Sequence, residues 1–168
     1  MPFARNVTRG SLLKIPQRAE RLADAGFLQG RNWTLAQVCE HLMLAIKSTV
    51  AGASVDGAPW RAKAALSHRC RRWCWKQATL LTGFIPFGIQ APVIVRPGSE
   101  LDLPAAVDQL RSAAQSFEET LALPNVCWSD HSILGSMTGS MWRRFHHVHA
   151  AHHFNCVESH SPHRASSD

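Results

Sequence analysis

Between Arg144 and Phe154 the chain places histidines at 146, 147, 149, 152 and 153, half of the ten it contains. At 100° per residue, a helix brings His146, His149 and His153 within about 60° of one another, with His147 and His152 on the flanks. His149 and His153 stand at i and i+4, the spacing at which one helix offers two imidazoles to a single metal ion. Apolar residues interleave the histidines and the cluster is internal, so it does not read as an affinity tag. Two imidazoles do not make a catalytic metal site, which takes three protein ligands and keeps a position open. His41 is the natural third. It interrupts the apolar stripe Val38, Leu42, Ala45 and Ile46, so a helix there aims it into an interior where the helix of His149 must also pack. A lone core histidine and a lone i, i+4 pair are each commoner without a metal than with one. Inside one bundle they reinforce each other, because bundle cores are where such sites are built.

Five helices can be read to hold these residues. The first spans about Pro16 to Ala25, with proline in its first turn and Gly26 as its stop. The second opens at Thr34, which forms a capping box with Gln37, while Trp33 and Val38 have the spacing of a hydrophobic staple. A third, basic helix spans about Pro59 to Leu81 and breaks in the Gly- and Pro-containing stretch 82–88. Residues 83 to 101 read as a connecting loop, with a short extended piece from Ala91 to Pro97. The fourth helix opens near Pro104 and stops by Pro124. In it Leu103, Val107, Leu110, Ala114, Phe117 and Leu121 alternate four and three apart, a seam for bundle packing. The fifth starts near Thr138 and carries Met141, Trp142, Phe145 and the histidines. No convincing strand set is present. The expectation is an all-α bundle, one domain over residues 1–158, followed by a polar, disordered tail at 159–168.

With 168 residues, 45% apolar and 18% charged, the composition fits one soluble globular domain. No apolar run nears the ~20 residues of a membrane helix, and the N-terminus has no secretory apolar region, which points to the cytoplasm. Cys39, Cys70, Cys74, Cys127 and Cys156 are odd in number and include no C-x-x-C pair, which reads as reduced thiols. Much of the formal charge of +6 comes from Arg61, Lys63, Arg69, Arg71, Arg72 and Lys76, interleaved with Trp60, Trp73 and Trp75. Nucleic acid or an acidic surface would suit that pattern. A solvated basic face with the tryptophans packed inward suits it better.

The segment from Trp33 to Leu42, Trp-Thr-Leu-Ala-Gln-Val-Cys-Glu-His-Leu, resembles the Trp-Ser/Thr-Leu…His-Leu signature of the DinB-like metal-binding four-helix bundles. The segment from His131 to His153 is similar to the other half of that superfamily. In one domain-of-unknown-function branch that half reads His-Pro-x-x-Gly-x-Met/Leu-Thr-x-x-x-Trp, followed by His-x-x-His-His. The motif order and the Gly/Pro-rich connection at 83–92 resemble the same branch, over residues 12 to 158. The resemblance implies a DinB-like four-helix bundle with an additional helix and a long connection. It also implies three ligands, His41, His149 and His153, for zinc, nickel or another divalent ion, with open positions for water or a thiol. Two departures stand out: Ser132 follows His131 where the branch usually has proline, and Cys156 stands where glutamine is common. Cys156 edges the ligand face and either approaches the site or packs, packing being the favoured reading.

His131 and His146 are the candidate catalytic residues. His131 sits in a loop just ahead of the fifth helix, either as a base or donor beside the site or as an ordinary loop histidine. His146 either orients substrate or lies at the bundle surface. His147 and His152 point elsewhere, partly exposed. The leading function is a metal-dependent enzyme, since an imidazole-bound divalent ion makes a nucleophile of water or a thiol at neutral pH. The resemblance implies a transferase using a low-molecular-weight thiol, or a hydrolase, acting on a small-molecule substrate. The cationic third helix could hold a carboxylate-bearing thiol. The alternative is a non-catalytic, stress-associated metal-binding bundle, as a monomer or homodimer, which a fourth enclosing ligand (Cys156 or His146) would favour. Nucleic-acid binding through residues 61–76 ranks third. No Ser/His/Asp elbow, phosphate loop or acidic metal cluster is present.

Overall fold

The N-termini of the longest helices follow from side chains that capture otherwise unpaired backbone N–H groups. The computed structural model describes residues 10–55, 66–83, 85, 93–98 and 102–159, with side chains in the segment 66–83 from Arg72 onward. Helix α1 spans Lys14–Asp24, α2 Leu35–Ala51, α3 Leu66–Thr82, α4 Leu103–Ala122 and α5 Gly139–Glu158. Thr34 caps α2 through the full capping box with Gln37, and Thr138 caps α5 by accepting from the Met141 N–H. Asp102 caps α4, with Pro104 in the first turn. Helix α1 starts two residues ahead of Pro16 and ends before Gly26, whose φ of 79° is the left-handed conformation that suits a glycine after a helix.

This is an all-α fold. Helix α2 packs along α4 and against α5, α1 packs against α4, α2 and α5, and α3 reaches the bundle through α5. The α4 seam is buried at Val107, Leu110, Ala114 and Phe117, in one core with Leu35, Val38, Leu42 and Ile46 of α2 and Phe154 and Val157 of α5. Phe117 and Phe154 are fully buried. Truncating either to alanine would cost about 3–5 kcal/mol. The sequence showed no strand set, and the only strands among the described residues are a two-residue antiparallel pair. There Ser54 faces Cys127 and Val55 faces Val126, tying the end of α2 to the segment that leads into α5. Gly139 lets α5 start tight against that segment, because a Cβ there would lie 2.8 Å from Trp128 Nε1.

Two expectations need correction. Trp73 and Trp75 do not pack inward but are 58% and 39% exposed, whereas Arg72 and Lys76 are partly buried. The cations turn inward because they have acceptors there. Arg72 donates to the carbonyls of His131, Ser132 and Ile133, and Lys76 donates to that of Ser136. The connection is not extended at 93–95. Val93–Val95 form a single 3-10 turn, α2 side chains hold the chain on either side of Arg96, and the Arg96 N–H bonds to the Val93 carbonyl. The start of the third helix at Pro59, Trp60, Arg61 and Lys63, the side chains of Arg69 and Arg71, residues 86–92 and the tail beyond Ser159 lie outside the described residues. No helix among the described residues is long and apolar enough to cross a membrane.

Candidate metal centre

Helices α2 and α5 cross with three imidazoles between them. His41 comes from α2, and His149 and His153 from successive turns of α5. The Nε2 atoms of His41 and His149 are 3.1 Å apart, as are those of His149 and His153. One ligand atom from each ring fits within 4.8 Å of the other two. The ring centroids are mutually 4.7–4.9 Å apart with steep interplanar angles of 63–85°, so the rings converge edge-on rather than stack. His41 is buried, while His149 and His153 are partly exposed. Among the described residues no further His, Cys, Asp or Glu joins this group.

Aromatic side chains wall the cluster. Trp33 lies 4.8 Å from the His41 ring and stacks on His153 at 5.5 Å, while Phe145 stacks on His149 at 5.4 Å. Trp33 is held by the turn before α2, where the Gly30 N–H bonds to the Trp33 carbonyl and the Leu35 N–H to that of Leu28. The sequence marked Trp33 as a staple and as the first residue of a motif; its place against His41 and His153 depends on α5 packing beside it.

The proton inventory shows why a cation suits this place. His41 Nδ1 lies 2.6 Å from the Val95 carbonyl, which can only accept, so Nδ1 carries the proton and Nε2 presents a lone pair. His149 Nε2 faces two nitrogens at 3.1 Å. If it is protonated it has no lone pair for His153, and if it is not, two lone pairs oppose each other across the contact with His41. Neutral rings cannot make both contacts ordinary linear hydrogen bonds. Protonating more of them is resisted. Burial pushes His153 down to about 3, helped by His41 and His152, and burial with the neighbouring rings holds His149 well below the usual range. Burial also lowers His41 against the opposing pull of the Val95 carbonyl. At neutral pH the cluster is therefore three uncharged imidazoles, the form that ligates metals. Tetrahedral zinc with Zn–N bonds of 2.0–2.1 Å sets its ligand nitrogens about 3.3 Å apart, close to the two short separations here.

The remaining sequence candidates lie elsewhere. His146 is buried, and its Nε2 lies 3.1 Å from Thr49 Oγ1. That hydroxyl donates its own proton to the Ala45 carbonyl, so the imidazole is the donor in the pair. Phe117, Trp142 and Phe145 surround the ring, and burial presses it down to about 3. It does not lie at the bundle surface, and it is not one of the three converging rings. His147, expected to be partly exposed, is 2% exposed because α5 buries it against the N-terminal segment, where Nε2 donates to the Gly10 carbonyl. His152 is partly exposed, as expected. His131 Nδ1 accepts from the N–H groups of Ile133 and Leu134 inside a turn closed by two 2.8 Å backbone bonds with Gly135, whose φ is 77°. Its ring packs on Trp142 and Phe145, and burial with the Arg72 guanidinium pushes it down to about 4. The Cys156 thiol stands outside the converging group, and Cys39, Cys74, Cys127 and Cys156 form no disulfide.

Sequence comparison gives a family but no function. No curated protein and no solved structure matches the chain. The profile of a family described as a protein of unknown function, DUF1569, matches residues 4–160. That span takes in both helices that supply the converging histidines and nearly the whole chain, and the protein belongs to the DUF1569 family.

Proposed function

We propose that the protein is a metal-dependent enzyme whose divalent ion is held by His41, His149 and His153. The observation that carries this reading is the convergence of three neutral imidazoles whose short contacts cannot all be satisfied by protons. Zinc or nickel fits an all-imidazole donor set best. When bound, such an ion lowers the pKa of a coordinated water or low-molecular-weight thiol and so supplies a nucleophile at neutral pH. The chain's residues hold three positions of the ion, exclude water on the α2 side through buried His41, and present aromatic walls at Trp33 and Phe145. A three-ligand group with two partly exposed members supports an accessible fourth position, the arrangement of a catalytic rather than a structural ion. The motif order favours placing the chain among the DinB-like bundles, which supports thiol transfer or hydrolysis on a small-molecule substrate. Hydrogen bonds engage His131 within its turn and His146 with Thr49, so the geometry favours supporting roles for both over acid–base ones.

Elemental analysis of tag-free protein tests the proposal. Wild type should carry close to one equivalent of zinc or nickel after reconstitution, and His41→Ala and His153→Ala should not. Full retention of metal by both variants would sink the site. Incubating the loaded protein with a cellular thiol and a model electrophile, or with ester and amide substrates, then separates transfer from hydrolysis.

A further inference from the structure

The carbonyl that orients His41 belongs to the short segment 93–98, which opens with the 3-10 turn at Val93–Val95. Residues 93–98 lie against α2, and Val93 and Ile94 are 78% and 74% exposed, so burial of these two side chains does not fix the strap. Polar grips from three α2 residues hold it. His41 Nδ1 donates to the Val95 carbonyl at 2.6 Å. One turn away, Gly98 is held at both backbone groups: its N–H donates to Glu40 Oε2 at 2.6 Å and its carbonyl accepts from Gln37 Nε2 at 2.9 Å. Glu40 is next to His41 in sequence, yet its side chain reaches the strap rather than the imidazole cluster. It is not among the converging ligand atoms.

A ligand imidazole needs its second nitrogen bonded, because that bond selects the tautomer, sets the ring's rotation and raises its basicity. For His41 the acceptor is a main-chain carbonyl whose place depends on what holds the strap. We propose that Glu40 is a positioning residue of the metal centre: by gripping Gly98 it keeps the Val95 carbonyl beneath His41 and so sets the affinity of the three-histidine site. This rests on the metal reading above and goes beyond it, since it gives a residue outside the ligand group control of that group. A charge-assisted bond from a carboxylate to a backbone N–H is among the stronger single ties available to an exposed segment.

Zinc affinity of metal-free, full-length protein can be measured by competition with a chromophoric chelator for wild type, Glu40→Ala and Glu40→Gln. Glu40→Ala should bind Zn²⁺ about 10- to 100-fold more weakly, the usual effect of losing an outer-shell partner. Glu40→Gln keeps an oxygen that can accept from Gly98 and loses only the charge, so it should recover most of the affinity. If both variants weaken equally, the carboxylate acts through charge and the positioning role is wrong. Side-chain ¹⁵N–¹H NMR of His41 gives a readout that general stability does not move. A protected Nδ1–H in wild type should become exchange-broadened in Glu40→Ala while helix content stays unchanged. Wild-type zinc binding with equal affinity in Glu40→Ala overturns this inference alone. Failure of wild type to bind zinc overturns the metal reading and this inference with it.

Discussion

Helix α5 carries two histidine pairs one turn apart and uses them in opposite ways. His146 and His147 are buried, each with an Nε2–H directed at an oxygen, the Thr49 hydroxyl and the Gly10 carbonyl. His149 and His153 stay partly exposed and turn Nε2 toward other imidazole nitrogens. The helical wheel divides these residues differently. It groups His146 with His149 and His153 and sets His147 aside. The opposing element decides: α2 meets His149 with an imidazole and His146 with a hydroxyl, and the N-terminal segment covers His147. An imidazole with an acceptor opposite it is a structural donor, and one opposed by lone pairs is a ligand in waiting.

The most decisive way to break this contrast is to exchange the losses. His149→Ala should weaken Zn²⁺ binding by more than about 100-fold, exceeding the cost of losing an outer-shell partner, while changing the metal-free protein's stability little. His146→Ala should do the reverse. It should keep zinc affinity within about tenfold and lose about 2–4 kcal/mol of stability, from the cavity and the stranded partner. Urea unfolding without metal and chelator competition with it would check both, and a large loss of zinc affinity in His146→Ala would erase the distinction.

Acid tests the same contrast more gently. His146 is pushed to about 3 in the folded chain from 6.5, so the unfolded chain binds the proton first as pH falls. The stability held by the neutral ring is intact above pH 6.5 and drains away below it, down to about pH 3. The slope is about 1.4 kcal/mol per pH unit once well below 6.5, or about 2 kcal/mol by pH 5 for one ring. Urea midpoints between pH 7.5 and 5 should fall less steeply in His146→Gln than in wild type. Parallel slopes would mean that His146 takes up a proton without opposition. The smallest effect falls on the partner: Thr49→Val leaves the His146 N–H without an acceptor, for about 1–3 kcal/mol. Unchanged zinc affinity in that variant would sharpen the separation between the two pairs.

What could be read in advance was local. The capping box at Thr34, the start of α5 near Thr138, the α4 seam and the pairing of His41 with the i, i+4 histidines each rest on spacing within one helix or on the rule that buried faces meet. What could not be read was carried by backbone or by distant chain. The Val95 carbonyl has no residue signature, and Glu40 looks like any helix-surface carboxylate until Gly98 arrives 58 residues later. His147 looked exposed because its cover comes from Gly10, 137 residues away. In α3 the expectation is that the tryptophans turn inward, and the spacing of Arg72 and Lys76 one turn apart did not reveal that their face does so instead. That was decided by the row of carbonyls after His131, a loop whose acceptors are invisible in side-chain chemistry.

A capping box accepts either glutamate or glutamine at its third helical position, and sequence rules treat the two as interchangeable. In this chain they are not. The Gln37 amide works from both ends: its oxygen takes the Thr34 N–H at 3.0 Å and its nitrogen gives a proton to the Gly98 carbonyl at 2.9 Å. Glutamate would keep the first bond and turn an oxygen against an oxygen at the second, with the Glu40 carboxylate one turn away. The start of α2 and the chain that braces His41 thus share a single amide, and a substitution that is silent for helix capping would be felt at the imidazoles.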